Sequence, residues 1–157
     1  MGHVFSFLSL MNVSDSPRVS RPAPLDSILV VDDEVALLEI FSQALGMHFE
    51  VTTATAAREA EFILRKKKFK VIVCDHLMPG GNGMSLLVRA REEYPFMQRV
   101  LVTGFMKPEM LLRSVNEAAL FRYLLKPVGL SDLIEVVRDA ARQHDALESA
   151  AATAAGR

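Results

Sequence analysis

From residue 27 onward the chain alternates between two hydrophobic rhythms. Short apolar runs stand at "SILVV" (27–31), "FEVTTA" (49–54), "KVIVC" (70–74), "RVLVT" (99–103) and "RYLLK" (122–126). They are rich in Val, Ile and Thr and of strand length, so each predicts a β-strand. Between them, apolar residues recur at three-to-four spacing and predict helices over Glu34–Gly46, Ala56–Lys67, Gly83–Tyr94, Pro108–Ala118 and Leu130–Leu147. Leu37, Leu38, Phe41, Ala44 and Leu45 carry the period in the first helix; Leu130, Leu133, Ile134, Val137 and Ala141 carry it in the last. Pro108 suits a helix start, where its missing N–H is not needed. Ser131 and Asp132 suit the first turn of the last helix.

Five strands alternating with five helices predict βαβ units and a parallel sheet. The first, third and fourth runs are almost wholly apolar, as strands are when helices cover both sheet faces. Right-handed crossovers then give a doubly wound α/β sandwich. In that architecture ligands bind beyond the carboxyl ends of the strands.

Composition narrows the picture. Of the 157 residues, 50% are hydrophobic and 24% charged, with a formal net charge of -1. Such a balance provides no global drive toward nucleic acid or anionic membrane. The one cysteine, Cys74, excludes an internal disulfide and suits a reducing cytoplasm. No apolar run nears the ~20 residues that span a bilayer. Residues 1–24 mix Ser, Pro and Arg and are expected to form a flexible leader; 25–147 form the domain; 148–157 form an Ala-rich tail. "MGHVFS" fits the short N-myristoylation pattern, which chance matches often satisfy.

Candidate chemistry gathers at the strand ends. Asp32, Asp33 and Glu34 follow the first run, Asp75 the third; Thr103 ends the fourth, and Lys126–Pro127 closes the fifth. Each acid taken singly reads as a helix or turn cap. Together they bring several carboxylates, a hydroxyl and an ammonium to one rim. Neighbouring carboxylates repel unless a cation or a function keeps them together. An oxygen-only set suits Mg²⁺. A nucleotide-phosphate loop would need glycines and free N–H groups after the first strand, where "VVDDE" places negative charge instead.

The set "VVDDE", "VIVCDHLMPGGNG", "LVTG" and "YLLKP" resembles the response-regulator receiver domain of two-component signalling, over about residues 26–145. The resemblance implies a flavodoxin-like doubly wound five-stranded sheet of order 2-1-3-4-5. It implies Asp75 as phosphoacceptor, Asp33 as direct Mg²⁺ ligand, Asp32 as its acidic neighbour and the Leu77 backbone carbonyl as a further ligand. Thr103 and Lys126 would bind phosphoryl oxygens, Lys126–Pro127 would be a cis peptide, and Tyr123 would be the aromatic that turns inward on activation. The implied partners are a histidine kinase or histidine phosphotransfer protein and a downstream protein that docks on helix 4, strand 5 and helix 5. Self-association through helices 4 and 5 is possible, and no output module is visible in this chain. Two rivals remain. One is a Mg²⁺-dependent phosphatase or phosphotransferase with an aspartyl nucleophile, opposed by Leu77 where a second acid is usual. The other is a phosphorylation-independent binding module, opposed by the complete residue set.

Other residues read more plainly. Cys74 is expected in the core and His76 as an exposed spacer beside Asp75. The glycines of "MPGGNG" are expected to shape a loop made flexible by Gly80 and Gly81. Met106, Met110, Leu111 and Leu112 are expected to pack inward, an adaptable partner surface being the sharper alternative. "RKKKFK" (65–70) reads as a solvated helix end that suits the dipole.

Overall fold

A computed structural model describes residues 22–104 and 106–157. The chain order is β1 (Ser27–Val31), α1 (Val35–Gly46), β2 (Glu50–Ala54), α2 (Ala57–Lys66), β3 (Val71–Asp75), β4 (Leu77–Met78), β5 (Gly81–Asn82), α3 (Gly83–Glu93), β6 (Gln98–Thr103), α4 (Pro108–Ala118), β7 (Arg122–Leu125) and α5 (Leu130–Ala155). Five strands form a parallel sheet of order β2-β1-β3-β6-β7, which is the expected 2-1-3-4-5 once the short β4–β5 pair is set aside.

The side-chain alternation of the strands divides the core in two. Leu29, Val31, Ile72, Cys74 and Leu101 face one layer, with Leu64, Leu86, Leu87 and Ala118. Ile28, Val30, Val71, Val73, Val100 and Val102 face the other, with Leu38, Phe41, Leu45, Leu133 and Val137. Ile28–Val31, Val71–Cys74 and Val100–Val102 are therefore continuously apolar because both faces are dry. Each fully buried Ile, Leu or Val contributes about 1.5–3 kcal/mol relative to exposure.

Three local expectations need correction. The "MPGGNG" segment is not a loose loop: β4 and β5 pair as an antiparallel hairpin, Leu77 against Asn82 and Met78 against Gly81. Pro79 and Gly80 make its turn, with Gly80 at φ +73, the position that only glycine fills cheaply. Second, neither Asp32 nor Asp33 caps α1; the cap is Glu34, and Asp32 accepts the Glu34 N–H at 2.9 Å instead. Third, α5 does not fray near Leu147 but runs to Ala155, because the alanine-rich stretch has the highest helix propensity available. The expected leader lies mostly within residues 1–21, and the myristoylation motif wholly so; these lie outside the described residues, as does Phe105.

The fourth helix has an unusual end. Its cap, Ala119, is left-handed at φ 46, a conformation that disfavours a Cβ. Arg99, buried at the start of β6, donates Nε to the Ala118 carbonyl at 2.8 Å and Nη2 to the Ala119 carbonyl at 3.1 Å. Arg91 of α3 donates to the Asn116 and Glu117 carbonyls, both at 2.9 Å. Two cations thus satisfy the orphan carbonyls and the negative end of the α4 dipole.

Candidate functional site

Parallel pairing aligns the carboxyl ends of β1, β3, β6 and β7, and the polar residues follow from that. Asp32 leaves β1 with its N–H on the Ala54 carbonyl at 3.1 Å. Asp75 is the last residue of β3, opposite Val102 of β6. Thr103 ends β6 and is buried, and its carbonyl accepts the Lys126 N–H at 2.8 Å. The last link ties the lysine backbone to the strand that carries the threonine. The Lys126–Pro127 peptide is cis.

The side chains converge. Lys126 Nζ donates to Asp32 Oδ2 at 3.0 Å and lies 3.3 Å from Asp75 Oδ1. Asp32, Asp33 and Asp75 each place one carboxylate oxygen within 4.8 Å of the others. Asp32 and Asp75 are buried and Asp33 is exposed, so one open acid faces solvent over two enclosed ones. Two carboxylates at this spacing repel by roughly 3–4 kcal/mol at an effective dielectric near 20. Burial, and then the Asp32 charge, push the Asp75 carboxyl above its usual range, and the pull of Lys126 offsets only part of this. Burial works against the Lys126 ammonium, but its hydrogen bond to Asp32 and the two carboxylate charges outweigh that and raise its pKa. The donor set is oxygen-only and carries excess negative charge, which fits a hard divalent cation such as Mg²⁺.

The wall beside Asp75 depends on a contact that sequence reading overlooked. A Cβ on Gly83 would stand 1.8 Å from the Asp75 carbonyl oxygen. Only glycine lets α3 begin hard against the end of β3. The Gly83 N–H donates to the His76 carbonyl at 3.0 Å, and the Asn82 side chain caps α3 by accepting the Met84 N–H at 2.8 Å. The signal was present as "NG" directly before a helical period, an N-cap followed by glycine, but it points to a turn rather than to a close approach.

His76 is not the expected exposed spacer. It is 6% exposed, and its Nδ1 has no hydrogen-bond partner among the described residues. Its N–H donates to the Val102 carbonyl at 3.1 Å, which carries the strand geometry one residue past Asp75. Burial lowers its pKa against the opposing pull of Asp75. Cys74 itself is core: buried, its thiol pushed well above the usual range by burial, and donating to the Asp75 carbonyl at 3.2 Å.

The remaining expected residues lie on neighbouring elements. Leu77 opens β4 two residues beyond Asp75, with its side chain exposed. Tyr123 lies exposed on the edge strand β7. Of the α4 apolar set, Met106 packs on the core and Leu111 is half-buried, but Met110 is 50% and Leu112 66% exposed, contrary to inward packing. With Leu125 and Leu130 they leave α4, β7 and the start of α5 rich in exposed apolar side chains.

The family model described as the response regulator receiver domain matches residues 28–138. The chain belongs to the response regulator receiver family. Among curated relatives, the receiver is 37% identical over 114 residues to the hydrogenase transcriptional regulatory protein HoxA of Cupriavidus necator, covering 73% of this chain and 24% of that protein. It is 29% identical over 115 residues to the response regulator protein PilR of Pseudomonas aeruginosa, covering 73% and 26%. The receiver thus spans about a quarter of the length of these relatives. Among solved structures, a CheY-like receiver domain protein of Methanospirillum hungatei superposes with TM-score 0.73 at 31% identity, covering 77% of this chain and 97% of the other. A structure described as adenylate cyclase of Rhodopirellula baltica reaches TM-score 0.80 at 31% identity, covering 85% and 99%. Receivers are signalling domains of two-component systems and typically bind Mg²⁺; the Asp32–Asp33–Asp75 cluster is a group able to hold it. No helix among the described residues is long and apolar enough to cross a membrane.

Proposed function

We propose that this receiver accepts a phosphoryl group on the Asp75 carboxylate and that the modification changes which protein its α4–β7–α5 face engages. The observation that supports this best is the position of Lys126 Nζ, 3.0 Å from Asp32 and 3.3 Å from Asp75. A lysine there pairs with the acids at rest and lies beside the oxygen that would carry the phosphoryl group.

The donor is a phosphohistidine on a histidine kinase or histidine phosphotransfer protein. An Asp75 oxygen bonds to phosphorus as the phosphorus–nitrogen bond breaks, and the imidazole nitrogen takes up a proton. Lys126 then pairs with one phosphoryl oxygen, and the Thr103 hydroxyl donates to another. Asp32, Asp33 and Asp75, with the Leu77 carbonyl, would hold Mg²⁺, which supplies neutralisation of the phosphoryl oxygens. The domain thereby assists its own modification and its later hydrolysis.

Drawing Thr103 toward the phosphoryl group vacates space beneath Tyr123, which turns inward from its exposed position. The size of the switch is set by how much better the phosphoryl group fits one state than the other. The exposed Met110, Leu112 and Leu125 then meet a downstream protein or a second copy of the chain, in the cytoplasm.

Incubation with acetyl phosphate and Mg²⁺ tests the reading. One base-labile phosphoryl group on Asp75 is expected by mass spectrometry, with none in Asp75→Asn. Multiple turnover of an external phosphoester would instead indicate a phosphatase, and failure of every donor to label a pure binding module.

A further inference from the structure

A cavity of about 450 Å³ opens at the pole of the sheet opposite Asp75. Its walls come from the residues that lead into β3 and β6 and from the far part of α5. The length of β3, whose last residue is Asp75, separates the two, roughly 17 Å at strand rise. Leu64, Phe69 and Met97 form a buried apolar floor, and Tyr94 and Phe96 are half-buried aromatics on one side. This size and apolar character are those of small-molecule sites.

The polar groups at the mouth are of two kinds. Arg65 and Lys68 line it at the end of α2, and His144 and Glu148, one helical turn apart on α5, line it opposite. The nearby cations are otherwise engaged: Lys67 pairs with Glu50 at 2.5 Å, Lys66 lies over the Phe62 ring, and Lys70 pairs with Asp26 and Asp145, both at 2.6 Å. Lys68 and Glu148 have no ion-pair partner among the described residues, and both also line an adjoining cavity of about 310 Å³. His144 and Glu148 lie beyond the matched residues 28–138, so this wall is additional to the segment shared with the family. The trio His144, Asp145 and Glu148 is close enough for a metal, but Lys70 already holds Asp145.

We propose that this cavity binds a nucleoside monophosphate. Its base stacks on the aromatic wall of Tyr94 and Phe96, its phosphate meets Arg65 and Lys68, and its ribose hydroxyls donate to Glu148. An apolar ligand would leave the two cations unused, and inorganic phosphate would leave the aromatic wall and the carboxylate unused. A ligand with a planar ring, hydroxyl donors and a phosphate uses all three.

Amide NMR with the full chain and AMP, in buffer with EDTA to keep phosphate from the acidic cluster, tests this. AMP at about 1 mM, the millimolar range of weak binding, is expected to shift residues 64–69, 94–97, 144 and 148 saturably, and to leave 32, 33 and 75 unmoved. Lys68→Ala and Tyr94→Leu, each checked by its melting curve, are each expected to weaken AMP at least about tenfold. Adenosine is expected to bind measurably more weakly than AMP. Equal binding of adenosine, or full retention by either variant while folded, would overturn the assignment. So would phosphate alone reproducing the shifts, or AMP producing none.

Discussion

Asp75 sits under two opposing demands. Burial and the neighbouring Asp32 favour its neutral form, while the proposed role as phosphoacceptor requires an ionised nucleophile. A carboxyl whose pKa is higher in the folded state holds its proton more tightly there than in the unfolded chain. Folding is therefore favoured less as pH rises from the unfolded value toward the folded one, and the cost is constant above it. Asp75→Asn, which cannot ionise, should raise the melting temperature measured in EDTA at pH 7. The gain should vanish below about pH 3.9, the unfolded aspartate range. Added Mg²⁺ should stabilise the wild type and do so much less for the variant. A variant that melts lower than wild type at pH 7 in EDTA would show that Lys126 fully compensates the acids.

At the scale of elements, α4 has unequal ends. Its first turn begins with Pro108 and presents exposed Met110, whereas its last turn is held by Arg91 and Arg99. Arg99 is buried, and burial lowers its pKa, so its charge is tolerated only because backbone carbonyls surround it. Arg99→Ala should cost about 3 kcal/mol in urea unfolding, since buried carbonyls lose charged partners. Arg91→Ala, at the exposed rim, should cost less than about 1 kcal/mol. Equal losses would contradict the burial argument. The strands of the main sheet and the positions of the five helices were legible from periodicity, but the covered face of α4 was not. The β4–β5 hairpin was not, because a two-residue strand carries no period, and the end of α5 was not, because alanine has no apolar rhythm to follow.

For the whole molecule, the acidic rim and the apolar α4–β7–α5 face are joined through Thr103 of β6 and its neighbour β7. A beryllium-fluoride phosphoryl mimic with Mg²⁺ is expected to perturb amide resonances at Thr103 and Tyr123 and along α4, and Asp75→Asn is expected to abolish this. Perturbation confined to the rim would mean that the two regions are uncoupled. Because Arg99 and Arg91 hold its end, the start of α4 is expected to show the larger perturbation.

Which residues would meet at the rim could be read from the sequence, because a parallel sheet places every strand's carboxyl end on one edge and the acids, Thr103 and Lys126 follow those ends directly. Cys74 was also legible, since it continues the apolar run Val71–Val73. Three features were decided only in three dimensions. His76 is buried where its N–H bonds to the Val102 carbonyl just past the end of β3, a pairing between distant segments. Gly83 matters because α3 presses on the Asp75 carbonyl, a distance no local pattern encodes. Met110 and Leu112 are exposed because α4 packs against α3 and buries Ser114 and Ala118, so the helix has apolar residues on more than one face and only packing selects which is covered.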